Sequence, residues 1–397
     1  MGVDTHKVEV VPIKLEKHPN ADLLSVVRVY NFTCVVATES WVGVDKAAYV
    51  QPDSVMPDVP EYRYLKETQS LRKEKQDIAS RLSNGEITPE EAKPLLDAVE
   101  AKIDANTKYL RIAVKKLRGV VSMGMLVKTP EGAEVGDDVA ERLGITHYEP
   151  PSMDEIEGKR QHKGDDVAPP PRLVYAPKYD VESVYKYADC FEAGEPVYVT
   201  EKLDGQNGRY VTTLEESGIC HCGDAVDQHN MGSGHSPVDN PDYVLHAGSR
   251  TEWKKHEGQS NWWRVLDQEK WVYEWSMSNP GRVLYGEVFG WVQTLKYGAK
   301  AGQLWFRAFD ILDGTEYLDA EAFRAALPAE RRVPELGIMP FDFEKLQALA
   351  DGPSLVRGAN HAREGIVVKP LVERKHWKLG RVMVKMVSNA YLEKSAR

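Results

Sequence analysis

The chain reads as an α+β protein in two parts: a β-rich N-terminal region interrupted by a helical pair, and a larger region where strands and helices mix. Three observations carry this reading. Residues 1–61 hold four short runs of β-branched or alternating apolar residues, VEVVPIKLE, SVVRVY, TCVVATES and KAAYVQP, each closed by turn formers. From Tyr62 to about Thr107 the apolar spacing turns helical. Beyond a stretch rich in proline and charge, residues 173–397 combine aromatic-rich strand patterns with helical ones such as LDAEAFRAAL.

The elements follow in order. Leu65, Leu71, Ile78 and Leu82 fall near helical spacing, and SNGEITPEE breaks the run. Thr88 is the expected N-cap of a second helix, with Pro89 at its first position and Glu91 completing a capping box. Leu95, Leu96, Val99 and Ile103 supply its apolar face. Strand-like sequence resumes at LRIAVKKLRG and GMLVKTP, so the pair is an insertion in a β-domain, expected to serve packing or oligomer contact. EPPSMDEIEGKRQHKGDDVAPPPRL then reads as an extended linker. The expected division is a first domain at 1–147 with its insertion at 62–107, a linker at 148–172 and a second domain at 173–397.

Composition excludes several classes. At 397 residues, 42% hydrophobic and 28% charged, the chain is neither disordered nor built for a membrane. No apolar run approaches the ~20 residues that span a bilayer. The N-terminus lacks the apolar core of a signal peptide, and His6 stands where the myristoylation pattern wants Ser or Thr. Four cysteines, at 34, 190, 220 and 222, are too sparse for a disulfide framework, so a reducing cytoplasm is expected. The net charge of −10 argues against a general polyanion binder, yet Val356–Arg397 holds ten Lys+Arg against three Asp+Glu. A basic end on an acidic body suggests a localised phosphate site.

The stretch VTEKLDGQNGRY places Lys202 between Glu201 and Asp204 where a strand gives way to a turn. Alone it is a short pattern that a surface charge ladder would also produce. What raises it is the series that follows: Arg250 in HAGSRTEW, Glu287 in LYGEVFGW, Phe309 in FRAFDIL, Glu364 and Lys369 in REGIVVKP, and Lys385 in RVMVKMVSNAYL. In order and residue type this series resembles the covalent nucleotidyltransferases, the nucleic-acid ligases and mRNA capping enzymes, and within them the ATP-dependent RNA ligases. The resemblance implies an adenylyltransferase domain in which Lys202 forms a lysyl–AMP bond. It also implies that Glu201 helps line the nucleotide pocket and that Asp204 orients Lys202 or a metal-bound water.

Residue chemistry agrees. A free lysine titrates near ~10.4, so an attacking amine needs a bound cation or cationic neighbours to lose its proton. Lys369 and Lys385 are placed to clamp phosphate, and Arg250 offers a planar fork for ribose, phosphate or a nucleic-acid end. Asp204, Glu287 and Glu364 offer oxygen donors to Mg²⁺ or Mn²⁺, and Phe309 a stacking face for adenine. The last segment, VMVKMVS, carries one lysine where the family has a pair, leaving the second cationic role between Lys378 and Arg381.

Near the N-terminus, IKLEKHPNADLLSVVRV and KKLRGVVSMGMLV resemble the tRNA-binding OB-fold domain appended to aminoacyl-tRNA synthetases. An OB barrel presents an open strand face to RNA, with Lys14, Lys17, Lys115, Lys116 and Arg118 as candidate contacts. His18, Asn20, Asp22 and Ser122 either share that role or fix turns. An N-terminal OB domain and an end soon after the last motif are expected of the family-five branch of RNA ligases. CHCGDAVDQHNMGSGH, residues 220–235, lacks zinc-ligand spacing and reads as a loop. The expectation is an ATP-dependent RNA ligase acting in RNA repair, with RNA as partner, no membrane and no obligate protein partner implied. Alternatives are a GTP-using capping-type guanylyltransferase, a ligase for DNA strands, and a non-catalytic RNA-binding protein.

Overall fold

A computed structural model describes residues 7–148, 167–172, 174–214, 243–256 and 260–395. The 220–235 loop and most of the expected linker lie outside the described residues. The chain forms two compact units, one of residues 3–149 with 392–397 and one of residues 150–391 with 1–2. Among the described residues no helix is long and apolar enough to cross a membrane.

The N-terminal unit is a small barrel of short strands. Strands β1 (Glu9–Pro12), β5 (Lys46–Val50) and β9 (Met125–Lys128) form one antiparallel sheet. Strands β2 (Leu15–Lys17), β3 (Leu24–Val29) and β4 (Phe32–Ala37) form another, and β7 (Lys115–Leu117) pairs with β8 (Val120–Ser122). A two-residue pair, β6 (Ser54–Val55) with β10 (Thr146–His147), completes the set. The insertion is a helical hairpin, α1 (Gln69–Ser83) and α2 (Pro89–Ala105), with its own core of Leu71, Ile78, Ala92, Val99 and Ile103. The expected capping box is present: Thr88 accepts from the Glu91 backbone and Glu91 accepts from the Thr88 backbone. Two details differ from the periodic reading. Leu65 lies in a 3-10 segment, Pro60–Lys66, where the helical spacing does not apply. Leu95 is 41% exposed, because the buried stripe of this helix runs through Ala92, Leu96, Val99 and Ile103, spaced four, three and four apart, and Leu95 lies at its edge.

The two sequence segments that suggested the OB fold meet in space. His18 is buried; its Nε2 lies 3.2 Å from the Leu117 carbonyl, while its Nδ1 accepts from the Asn20 backbone at 3.1 Å. Asn20 Nδ2 donates to the Arg118 carbonyl at 2.9 Å, and Ser122 Oγ accepts from the Val35 backbone. His18 and Asn20 therefore fix the β7–β8 turn and Ser122 ties β8 to β4, while Lys14, Lys17, Lys115, Lys116 and Arg118 are exposed.

The second unit is two antiparallel sheets. A seven-stranded sheet runs β11 (Val167–Ala168), β16 (Trp253–Lys254), β15 (Tyr243–Gly248), β14 (Gln206–Leu214), β17 (Val283–Gly290), β18 (Leu304–Asp313), β19 (Glu316–Tyr317). A five-stranded sheet runs β12 (Glu182–Ser183), β24 (Val384–Val387), β21 (Gly365–Pro370), β13 (Pro196–Lys202), β20 (Glu335–Pro340). Here only β12 and β24 run parallel. One face of the larger sheet packs Tyr210, Leu284, Val288 and Phe306 against helices α3 (Asn261–Gln268) and α4 (Trp271–Ser278) through Trp262, Val265, Trp271 and Val272. Its other face packs against the smaller sheet in two apolar patches. One holds Tyr179, Val211, Tyr285, Leu312 and Met383, and the other Leu203, Phe289, Tyr297 and Val333. Both faces being covered, these strands carry near-continuous apolar runs with little alternation.

Two glycines allow neighbouring strands within each sheet to come close at the site. A Cβ on Gly205 would stand 2.3 Å from the Val288 carbonyl oxygen, and one on Gly365 2.2 Å from that of Met386. The glycines after Lys202-x-Asp and after Glu364 are thus steric requirements. Gly365→Ala is expected to destabilise the protein by about 1–3 kcal/mol through overpacking, read as a lower thermal midpoint; an unchanged midpoint would show that β24 can yield.

Candidate active site

Lys202 is the last residue of β13, and its register partner on β21 is Gly365, so no side chain stands opposite it. Glu364, the residue before β21, then meets it: Lys202 Nζ donates to Glu364 Oε1 at 2.6 Å. The Lys202 side chain stays 26% exposed while that of Glu364 is 11% exposed. Glu364 Oε2 is buried and has no hydrogen-bond partner among the described residues. From the facing sheet β17 supplies Glu287, opposite Asn207 in register, and Asn207 Oδ1 is likewise buried and unpartnered.

Electrostatics tie these groups together. Burial pushes the Glu287 carboxyl up to about 8, with Glu364 and Asp204 adding to the rise and Lys202 opposing it. Burial raises Glu364 to about 7, with Asp204 adding while Lys202 and Lys385 pull it back. For Lys202, burial acts downward, but Glu364, Glu287 and Asp204 outweigh it and the net shift is upward. The amine is therefore held as an ammonium by its carboxylate neighbours. Lys385, on β24 in register with Val367, is lowered, first by burial and then by the Lys202 charge. Arg250 adds to that lowering and Glu182 opposes it.

The remaining candidates fall into place around this centre. Glu201 points to the opposite face of β13 from Lys202; it is buried and accepts from Ser354 Oγ at 2.6 Å and the Leu355 backbone at 2.7 Å. Asp204 is fully engaged: Oδ2 accepts from the Leu295 backbone at 2.9 Å, Oδ1 from Tyr391 at 3.3 Å, and its own N–H donates to Tyr297 Oη at 2.7 Å. Arg250 Nη1 lies 3.5 Å from Asp180 Oδ1. Phe309 occupies the bulge in the β17–β18 ladder, half-buried, its ring centroid 4.6 Å from that of Tyr179, and it packs against both apolar patches.

Lys369 departs from its expected place. It faces the same side of the sheet as Lys202 but pairs with Tyr198, four residues along the strand and roughly 13 Å away at ~3.3 Å per residue. Its ammonium donates to the buried Asp310 at 2.7 Å, and Asp310 also holds Arg381 at 2.8 Å and accepts from Tyr179. Arg381 in turn grips Glu373. A lysine and an arginine that read as phosphate clamps are thus committed to carboxylates, and Lys378 pairs with Asp189 at 2.5 Å. Little in the residue pattern pointed to Asp310, Asp180 and Tyr297, whose roles depend on contacts more than 60 residues apart in two of the three cases.

The residues fit a divalent cation only in part. Among the described residues no three His, Cys, Asp or Glu side chains stand close enough together to enclose a metal ion. The orphaned Glu364 oxygen, and the burial that lifts Glu287 and Glu364 with neighbouring acids adding to it, nevertheless favour a cation whose shell is completed by water and phosphate, the preference of Mg²⁺.

The two-sheet cleft with a strand-end lysine among facing carboxylates defines a nucleotidyltransferase-type ligase fold. Residues 195–387 match the family model for RNA ligase, and residues 7–89 match one for an OB-fold domain. Over these residues the second unit is similar to the RNA ligase family. Solved structures of the Naegleria gruberi RNA ligase share the fold over nearly the whole chain. A lysine-to-alanine variant with ATP and Mn is 23% identical, with a TM-score of 0.64 and 98% of this chain and 99% of that one covered. The enzyme with pyrophosphate is 23% identical at 0.64, covering 99% of each chain. A ligand-free aspartate-to-alanine variant is 25% identical at 0.64, also covering 99% of each. Among curated proteins there is no match.

Two outcomes are expected. Glu287 has a raised pKa in the fold, so its ionisation costs stability above the folded value of about 8, and the cost vanishes below the unfolded value near ~4.3. Glu287→Gln is accordingly expected to raise the thermal midpoint at pH 8.5 and to lose that advantage near pH 4.5; equal midpoints at both would contradict it. Lys369→Met strips a buried charge of its partner and is expected to cost about 3–5 kcal/mol. Lys385→Met relieves a buried cation and is expected to leave the midpoint level or higher; matching losses would show that the two lysines are equivalent.

Proposed function

We propose that this protein is an ATP-dependent ligase that joins RNA 3′-hydroxyl and 5′-phosphate ends through lysyl–AMP and RNA–adenylate intermediates, in a repair role. The observation that carries the reading is the Lys202 amine 2.6 Å from Glu364 within reach of Glu287 and Lys385. The RNA ligase family match and the ATP and manganese bound by the Naegleria gruberi fold relatives support it.

In the first step deprotonated Lys202 attacks the α-phosphorus, a P–N bond forms, and the P–O bond to pyrophosphate breaks. In the second an oxygen of the RNA 5′-phosphate attacks that phosphorus and the P–N bond breaks, returning the amine. In the third the 3′-hydroxyl attacks the 5′-phosphorus, loses its proton and expels AMP. Lys385 and Arg250 neutralise phosphate charge, the roles left to them once Lys369 and Arg381 are bound to Asp310. Phe309 stacks on adenine at the cleft floor, and Glu201, braced by Ser354 and Leu355, shapes the nucleotide pocket behind the strand. Asp204 fixes the turn that presents Lys202, and Glu287 and Glu364 would supply oxygens to Mg²⁺ or Mn²⁺. That cation would neutralise charge on the α-phosphate and the departing pyrophosphate. Lys14, Lys17, Lys115, Lys116 and Arg118 on the OB unit offer RNA a set of exposed cations.

Incubation with α-labelled ATP and Mg²⁺ is expected to give a labelled protein that Lys202→Ala lacks. Equal labelling of the variant would refute the nucleophile, and preference for GTP over ATP would turn the reading toward a capping-type guanylyltransferase. RNA retention with no adduct from the wild type would favour a non-catalytic binder, and sealing confined to DNA strands would reassign the substrate.

A further inference from the structure

Between the strand that follows Glu364 and the strand that carries Lys385, the chain leaves the sheet in a short hairpin, β22 (Lys375–His376) and β23 (Gly380–Arg381), with Trp377 at its tip. Trp377 is 84% exposed. A single exposed apolar residue ordinarily means little; three observations set this one apart.

The hairpin is rigidly held. Arg374 Nη2 lies 2.9 Å from each Glu195 carboxylate oxygen and 2.9 Å from the Cys190 carbonyl. Lys378 pairs with Asp189, His376 Nδ1 lies 3.2 Å from Cys190 Sγ, and Arg381 closes the base on Glu373 and Asp310. Gly380, at φ +75°, supplies the left-handed residue of the turn. An indole on such a support is presented at little entropic cost.

Two lysines flank the ring. Arg374, Lys378 and Arg381 are paired with carboxylates from outside the hairpin tip, while Lys375 adds a positive charge beside the ring. Lys378 Nζ lies 5.2 Å from the Trp377 ring centroid. Lys375 is exposed, and among the described residues no carboxylate is within ion-pair distance of it. An aromatic face flanked by cations is the arrangement that holds single-stranded nucleic acid, the ring stacking on a base and the cations meeting its phosphates.

The position is useful. Eight residues of chain separate Trp377 from Lys385, so at ~3.3 Å per residue the tip lies at most about 26 Å from the reacting centre. That is within roughly eight nucleotides of stacked strand at ~3.4 Å each.

We propose that this hairpin is an RNA-docking element, with Trp377 stacking on a base several nucleotides from the reacting end and Lys375 contacting its backbone. The proposal rests on RNA being the substrate, but its test does not require sealing. Affinity of the full-length protein for a fluorescein-labelled 20-nucleotide RNA is measured by anisotropy, and adenylylation by ATP is measured alongside. Trp377→Ala is expected to weaken RNA binding about 5-fold to 100-fold, the range for loss of one stacked base, with adenylylation unchanged. Trp377→Phe retains most of the affinity. Lys375→Ala weakens binding and lowers the salt slope by about one phosphate contact. RNA carrying 5-iodouridine crosslinks on irradiation to the peptide containing Trp377. Unchanged affinity of Trp377→Ala, or crosslinks only elsewhere, overturns the proposal. So does a Trp377→Ala protein that binds RNA normally but loses self-association, which would assign the face to a second copy of the chain. Wild-type RNA binding without adenylylation would sink the ligase reading and leave the docking result standing.

Discussion

The contact between Lys202 and Glu364 is the constraint on which the second unit is organised. It joins the end of one strand to the start of its neighbour, and it exists because Gly365 leaves the register position opposite Lys202 without a side chain. An ammonium among three carboxylates is a stable resting state and a poor nucleophile. Chemistry at this nitrogen therefore requires new positive charge in the site, which would compete for Glu364 and Glu287 and release the amine. The raised carboxyls, near 7 and 8, mark where burial, with neighbouring acids, disfavours negative charge that the nearby lysines only partly offset.

A second, buried charge centre serves the first from a distance. Asp310 gathers Lys369, Arg381 and Tyr179, and it neighbours Phe309 in the bulge of β18. Breaking a buried pair costs more than either charge contributes alone. The cluster therefore fixes the spacing between the two sheets and the level at which Phe309 crosses the cleft. Cations in the basic C-terminal segment thus divide into two jobs. Some lock the fold, and Lys385 remains among the acidic residues of the site with its charge disfavoured by burial and by Lys202.

Much of this was legible in the sequence. Short β-branched runs, the Thr88–Glu91 capping box and the helical pair appear where the pattern placed them, because local propensity and tertiary packing agree there. The motif series likewise brought Lys202, Glu287, Glu364 and Lys385 to one cleft. Lys369 was not readable: a basic residue two steps past a strand's midpoint looks the same whether it meets phosphate or a buried aspartate 59 positions away. Leu95 was misjudged for a smaller reason, since α2 has more apolar residues than its narrow interface with α1 can cover.

The most direct test of the account is the ionisation of Lys202 itself, read in the nucleotide-free protein by the pH dependence of its acetylation, quantified peptide by peptide with mass spectrometry. If Glu364 holds the amine charged, Glu364→Gln lowers the apparent pKa of Lys202. An unchanged or higher value in that variant would mean that the carboxylate does not govern the nucleophile, and the proposed order of events at this site would fail.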